Sequence, residues 1–211
     1  MGPELRDRTA SQAGVLIEPR TDPVPGPVPA DLWKDLPSIP RITVDLFQFI
    51  TRGTFDCVTP GDRMEWILHN FPQPDCVDPM PGGKSIWEYG DFEFHFAGDL
   101  LMAIYCEDFR AISAGKNIAL KKWFFNKSVR HSLRKVLTIL TRHKINYVVL
   151  HDSGTESIRV RVLASRVDLF FEVADPGKTY GDADDAGFEL VGFGMLPVLS
   201  RTSGDQGWRH S

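Results

Sequence analysis

The most constraining feature of the chain is an alternation of aromatic and polar residues at positions 92–96. Phe92, Phe94 and Phe96 are separated by Glu93 and His95. Because successive side chains of a β-strand point to opposite faces, this period of two places three aromatic rings on one face and the polar groups on the other. The segment therefore predicts a strand of an antiparallel sheet that is buried on one face and wet on the other.

The flanking residues extend this strand into a three-strand meander over residues 85–109. Residues 86–89 form a short aromatic run, and Gly90-Asp91 is a glycine-first pair that suits a two-residue hairpin turn. A second turn is indicated at 97–99 (Ala-Gly-Asp). Residues 100–106 are apolar on both faces, which predicts a central strand.

Apolar stripes at helical spacing predict two helices. The first follows Thr59, the expected N-cap, and ends before Pro72. The second and stronger helix covers residues 128–143. Its apolar positions are Val129, Leu133, Val136, Leu137 and Leu140.

The remaining elements are expected from shorter patterns. Residues 44–51 suggest a short helix, with an opening strand from Ile42 as the alternative, and 75–84 suggest a loop. Further strands are expected within 116–125 and at 146–150, 157–163, 167–173 and 188–196.

These elements predict an α+β fold in one domain, residues 42–198. Residues 1–41 contain eight prolines and few apolar side chains, so we expect a flexible tail, and a second tail at 199–211. Within the domain, residues 42–125 and 126–198 each place a helix before a set of strands. We expect one antiparallel sheet built from these two similar halves, with the helices packed on one face.

Composition narrows the compartment and the chemistry. The 211 residues carry a net charge of −4. No apolar run approaches the ~20 residues of a membrane span, and residues 1–40 lack the apolar stretch of a secretory signal, so we expect a cytoplasmic protein that does not bind membranes. The three cysteines form no Cys-x-x-Cys pair, and neither a disulfide framework, a metal site nor a cofactor is expected.

Charge is segregated along the chain. Residues 85–109 contain six acidic residues and no lysine or arginine, whereas 110–144 contain ten basic residues and no acidic one. The two stretches either face each other or form docking surfaces, the acidic one for a basic protein and the basic helix for nucleic acid. An acidic chain argues against a dedicated nucleic-acid binder. The candidate partner-binding residues are Glu88, Asp91, Glu93, His95, Asp182, Asp184 and Asp185. The alternative nucleic-acid-binding residues are Arg130, Arg134, Lys135 and Arg142.

No catalytic signature stands beside these surfaces. His95 with Asp91, Glu93 and the nearby Cys106 would be conceivable as an acid-base or metal group. The sequence lacks a serine elbow, a His-x-x-x-His pair and a phosphate-binding glycine loop, so an exposed sheet face is the better interpretation and no enzyme is expected. The run from Asp182 resembles the start of a calcium loop, but Phe193 stands where the closing glutamate belongs.

Two segments resemble a known group of proteins. Residues 59–74 and the Ile-Trp-Glu-Tyr-Gly-Asp segment from Ile86 are similar to small, mostly uncharacterised bacterial proteins with an Ile-Trp-x-Tyr-Gly-Asp strand segment. Asn70-Phe71 departs from the leucine-glycine usual in that group. The element order also resembles the tandem-repeat architecture of the β-lactamase inhibitor proteins and of a small outer-membrane assembly lipoprotein.

The resemblance implies a protein-binding fold, and relatives of this kind include immunity proteins encoded beside secreted toxins. The leading hypothesis is therefore a non-enzymatic binding module, an immunity or inhibitor protein whose acidic, aromatic-rich surface neutralises a cognate toxin with a basic domain. A nucleic-acid-binding regulator that uses the helix at 128–143 is the alternative.

Overall fold

The computed structural model describes residues 39–107, 112–126, 131–152, 157–174, 177 and 184–196. The tail expected for 1–41 lies outside the described residues up to position 38, and the tail expected for 199–211 lies wholly outside them. The candidate residues Arg130 and Asp182 are also outside the described ranges.

The described chain contains three helices and ten strands. The helices are α1 (Leu46–Arg52), α2 (Met64–Asn70) and α3 (Leu133–Arg142), and a short 3-10 turn covers Trp123–Asn126. The strands are β1 (Ile42–Asp45), β2 (Cys76–Met80), β3 (Lys84–Tyr89), β4 (Phe92–Ala97), β5 (Leu100–Cys106), β6 (Ile118–Lys121), β7 (Tyr147–Asp152), β8 (Ser157–Val162), β9 (Val167–Val173) and β10 (Phe188–Met195). None of the described helices has the length and apolar character that crossing a bilayer requires.

Eight of the strands form one large sheet. Their order is β2-β3-β4-β5-β10-β9-β8-β7, and every neighbouring pair is antiparallel. The strands β1 and β6 form a separate parallel pair. The mixed helix and antiparallel-sheet class expected from the sequence is confirmed.

The predicted meander is also confirmed. Strands β3, β4 and β5 follow one another in the chain and in the sheet, and Gly90 in the first hairpin turn has the positive φ (61°) that glycine adopts without strain. Phe92, Phe94 and Phe96 are buried, whereas Glu93 and His95 are partly exposed. The alternation therefore separates a core face from an open face of the sheet.

Aromatic rings fill the core face, and the helices pack on that face. The Phe55 ring centroid lies 4.7 Å from that of Phe92 and 5.5 Å from that of Phe94. Phe49 of α1 packs against Phe193 of β10 at 6.0 Å. The buried side chains of α3 belong to the same cluster. Edge-to-face and tilted contacts of this kind add to the free energy gained from burying apolar surface.

Two expectations about strands are wrong. Residues 75–84 do not form a loop, because β2 lies there and pairs with β3. Pro79 has no N–H to donate, and it is tolerated because β2 is an edge strand. The strand expected within 116–125 exists as β6, but it pairs with β1 rather than joining the large sheet.

The helix starts also differ from expectation. Thr59 does not cap α2, which begins at Met64; instead the Thr59 backbone N–H donates to Asp62 Oδ2 at 2.7 Å in a turn before the helix. Both alternatives for residues 42–51 are realised, because β1 runs directly into α1. The Asp45 carboxylate caps α1 by accepting from the Phe47 N–H at 2.9 Å.

The two ends of the sheet meet at the β5–β10 junction. Only three residue pairs are in register there: Cys106 with Phe193, Tyr105 with Gly194, and Ile104 with Met195. Tyr105 lies over β10, because a Cβ at Gly194 would be 2.7 Å from its ring and 2.6 Å from the Ile104 carbonyl oxygen. A Cβ at Gly192 would be 2.5 Å from the Tyr105 hydroxyl oxygen.

We predict that Gly194→Ala lowers the free energy of unfolding by about 1–3 kcal/mol, because the new methyl group collides with a backbone oxygen that cannot move without disturbing the junction. Gly192→Ala is the matched control and should cost less, since its closest contact is the movable end of a side chain. Urea unfolding followed by the fluorescence of the buried Trp87 measures both. Equal losses, or a larger loss for Gly192→Ala, would contradict this account of the junction.

Candidate functional site

The open face of the sheet carries charged side chains in a row that crosses six strands. In order of position the row contains Glu88, Glu93, Tyr105, Gly194, Asp168 and Arg161, on β3, β4, β5, β10, β9 and β8. Because directly paired residues of neighbouring strands point to the same face, these positions share one surface. Its two ends have opposite character.

The acidic end lies on β2, β3 and β4. Glu88 is directly opposite Glu93, and both carboxylates are partly buried. His95 Nε2 lies 2.7 Å from Glu93 Oε2, so the imidazole is held beside this pair. Like charges placed directly opposite one another oppose strand pairing, and they concentrate negative potential on this part of the open face.

Asp91 does not belong to that surface in the same way. It precedes β4 in the hairpin turn, where its Oδ2 accepts from the Ser113 N–H at 2.7 Å. Its own N–H donates to the Ser113 carbonyl oxygen at 2.9 Å. The carboxylate therefore holds the segment around Ser113 against the turn.

An acidic cluster that the sequence did not predict lies beside Glu88. Donor atoms of Cys76, Asp78 and Glu88 lie within 4.8 Å of one another. A thiol and two carboxylates are donors that zinc accepts. Exposed carboxylates commonly gather without an ion, so the cluster carries no metal assignment. The expectation of a loop at 75–84 hid it, because only the pairing of β2 with β3 brings Cys76 opposite Glu88.

Tyr105 and Phe170 occupy the centre of the open face. Their ring centroids are 5.6 Å apart in an edge-to-face arrangement. Burial raises the pKa of Tyr105 to about 12, and the negative charges of Glu107, Glu172 and Glu93 act in the same direction. The phenol stays protonated at neutral pH and lies in a region of negative potential.

The basic end is built on a buried carboxylate. Asp168 is fully buried and accepts from Arg161 Nε and Nη2, each at 2.7 Å. Arg159 Nη1 lies 3.5 Å from the same carboxylate. Both guanidinium groups remain more than a third exposed, so two arginines share one carboxylate and present positive charge. Their hydrogen bonds raise the pKa of Arg161 further.

The acidic loop lies elsewhere, against α3. Asp184 Oδ2 pairs with Arg134 Nη2 at 3.1 Å, and the Asp185 carbonyl oxygen accepts from the Arg134 N–H at 3.1 Å. Since α3 packs on the core face, the structure separates Asp184 and Asp185 from Glu88 and Glu93. Part of the acidic loop and the basic helix therefore face each other.

The described basic residues of α3 are all exposed. A shallow depression beside them is lined by Arg134, Leu137, Thr138, Thr141, Arg142 and Asp185. Lys135 points into solvent. Arg134 already has an acidic neighbour in its own chain, which reduces the positive potential of this surface.

The geometry weakens the catalytic grouping considered from the sequence. Cys106 is buried on the core face, whereas His95 lies on the open face, so the two side chains do not share a site. The hydrogen bond between Glu93 and His95 remains a conceivable acid-base pair.

Comparison with known proteins adds little. No protein-family model and no curated protein matches the chain. A solved structure, an extracellular protein containing an SCP domain from Bacillus anthracis str. Ames, is similar at 14% identity and a TM-score of 0.29. The match covers 66% of this chain and 44% of that chain, so the chain spans less than half of that structure. A similarity at this TM-score supports no argument about fold or function.

We predict that Arg161→Met lowers the free energy of unfolding by about 3 kcal/mol, because it leaves the buried Asp168 carboxylate with one more distant guanidinium. The double variant Arg161→Met/Asp168→Leu should recover most of that loss, since no charge then remains buried. Chemical denaturation of both variants measures the difference. A double variant as unstable as the single one would show that packing, rather than the unpaired charge, accounts for the cost.

His131, at the start of the α3 segment, is a second buried polar group. It is only 5% exposed, and among the described residues neither ring nitrogen has a hydrogen-bond partner. Phe124 and Phe125 surround the ring at centroid distances of 5.4 and 5.9 Å. Burial, and then the charge of Lys135, lowers the pKa of His131 below its ordinary value of 6.5.

This lowered pKa predicts a loss of stability in acid. Below pH 6.5 the unfolded chain binds a proton at His131 that the folded chain does not, so the stabilisation present above 6.5 is lost as the pH falls through and below that value. His131→Leu should show a shallower decline over the same range. Denaturation curves of both proteins across this pH range test it, and parallel declines would exclude His131 as the cause.

Proposed function

We propose that this chain is a non-enzymatic protein-binding module, an immunity or inhibitor protein that neutralises a cognate bacterial toxin through the acidic end of its open face. The observation that carries the proposal is the direct opposition of Glu88 and Glu93 next to Tyr105. An arrangement that opposes strand pairing in the free protein becomes favourable when a positively charged partner covers it.

The aromatic content of this face supports a protein partner. Tyr105 and Phe170 combine a rigid ring with few rotatable bonds, and Arg159 lies directly opposite Phe170 on β8. Tyrosine and arginine are enriched among the residues that contribute most to protein interfaces. A lysine or arginine of the partner that reaches Tyr105 would contact both a ring and the carboxylates around it.

The strand order supports the two-half architecture that belongs to the same proposal. Helix α2 precedes β2 to β5, α3 precedes β7 to β10, and the two four-strand sets meet at their last strands, β5 and β10. Two similar halves related by a two-fold rotation would produce this order. It is also the arrangement expected from the resemblance to the tandem-repeat inhibitor proteins.

The nucleic-acid-binding alternative has less support. It depends on Arg130, Arg134, Lys135 and Arg142, of which Arg130 is outside the described residues. Asp184 neutralises part of the charge of Arg134, and Asp185 lines the same surface. A duplex follows phosphate charge, and its binding weakens steeply with salt.

We predict that full-length protein retrieved from its native bacterium carries a stoichiometric protein partner with a basic surface. Glu88→Lys should weaken this complex by at least about tenfold, equivalent to about 1.4 kcal/mol, because it reverses a charge at the acidic end. Affinity capture with mass spectrometry identifies the partner, and titration calorimetry on the purified pair measures the change.

Arg142→Glu is the matched control, since it reverses an exposed charge on α3 and should leave the complex intact. The proposal fails if no stoichiometric protein is captured. It also fails if Arg142→Glu abolishes binding while Glu88→Lys does not, and salt-sensitive binding of random duplex lost in Arg142→Glu would favour the alternative.

A further inference from the structure

The charges of the open face are arranged in opposite order about the centre of the sheet. With eight strands, the centre lies at the β5–β10 junction. Glu88 is on β3, the second strand from one edge, and Arg161 is on β8, the second strand from the other edge. Both belong to the same row across the sheet. Opposite charges thus lie at equal distances from the centre.

Apolar side chains accompany these charges on the same face. Met80 on β2 is 46% exposed and Val148 on β7 is 37% exposed, one at each edge of the sheet. Their register with Lys84 and Arg161 places both on the open face. Exposed apolar side chains among charged groups are typical of an interaction surface.

A second copy of the chain fits this layout. A two-fold axis parallel to the strands, above the β5–β10 junction, turns one sheet over onto the other and leaves each row in place. Strand β3 of one copy then lies over β8 of the other, so Glu88 faces Arg161 and Arg159 of the second copy. A two-fold axis across the strands would instead place the acidic ends on each other.

The dimensions of the face are sufficient for such a contact. Eight strands about 4.8 Å apart and about six residues long cover roughly 700 Å². Stable protein interfaces bury about 800 Å² on each partner. Two sheets of the same twist also pack face to face with their strands nearly aligned, as this axis requires.

We propose that this chain forms a two-fold symmetric homodimer through its open face, with the acidic end of each copy against the arginines of the other. This goes beyond the proposed function, because a cognate partner that binds the acidic end must displace the second copy. The free protein then keeps its charged face covered, and dimer and complex exclude each other.

Sedimentation velocity of the full chain at low salt, over a wide concentration range, tests the dimer. Wild-type protein should reach twice the chain mass of 23.7 kDa. Glu88→Arg and Arg159→Glu should each sediment as monomers, because each places like charges together at both contacts. Mixed in equal amounts, they should form a heterodimer, since one contact then pairs the two reversed charges and the other retains the original pair.

Three further variants separate interface effects from folding. Arg142→Glu lies on the helix side and should remain dimeric. Thermal melting establishes whether Arg159→Glu, next to the buried Asp168, is folded; Val148→Glu, which touches no buried charge, replaces it if it is not. Wild-type protein that is monomeric throughout, reversed variants that stay dimeric, or a mixture that stays monomeric would each overturn the proposal.

The same variants keep this inference distinct from the proposed function. Val148→Glu should break the dimer while leaving the acidic end intact, so capture of the cognate partner should persist or increase. A monomeric wild-type protein that still captures its partner overturns the dimer alone. A dimer that behaves as expected but captures no protein overturns the proposed function alone.

Discussion

The fold depends on the pairing of β5 with β10. Three residue pairs join two four-strand sets into one sheet at this point, whereas β10 and β9 share seven. Phe193 of β10 lies in the junction, and its ring packs against Phe92 of β4 and stacks on Phe125 at 5.0 Å. Strand pairing and aromatic packing therefore act at the same position. A short junction is sufficient because the rings behind it connect both sets to the helices.

The same junction also organises the open face. Gly192 and Gly194 leave room for the Tyr105 ring to lie over β10, and this places Tyr105 next to Phe170. A larger residue at either glycine would push the ring toward solvent. The centre of the charged surface is thus set by the absence of side chains on one strand.

Sequence periodicity predicted the strands whose partners are close in the chain. The meander β3 to β5 and the strand β9 were predicted nearly to the residue, because alternation of rings with polar groups reports a half-buried sheet directly. Strand β2 was missed, since Pro79 and the following glycines look like a loop when the edge position is unknown. The turn at Thr59 was mistaken for a cap because Thr-Pro-Gly-Asp carries the chemistry of both.

The candidate surfaces were less predictable, because they depend on tertiary contacts. Arg159 and Arg161 alternate with apolar residues, which predicted a strand, and Asp168 was assigned to the polar face of the next strand. Nothing local shows that this aspartate is fully buried by the two arginines. Likewise, charge counting found the acidic loop and the basic helix but not the ion pair between Asp184 and Arg134.

The spacing of the charged groups bears on what the open face does. Glu88 and Arg161 are separated by five strand intervals, about 24 Å. Acid-base catalysis needs its groups within about 3 Å of the proton they transfer, so charges spread across the width of a sheet do not converge on one bond. A second protein surface, in contrast, spans such a distance and contacts both ends at once. The distribution of charge, more than the lack of a catalytic motif, favours binding over chemistry.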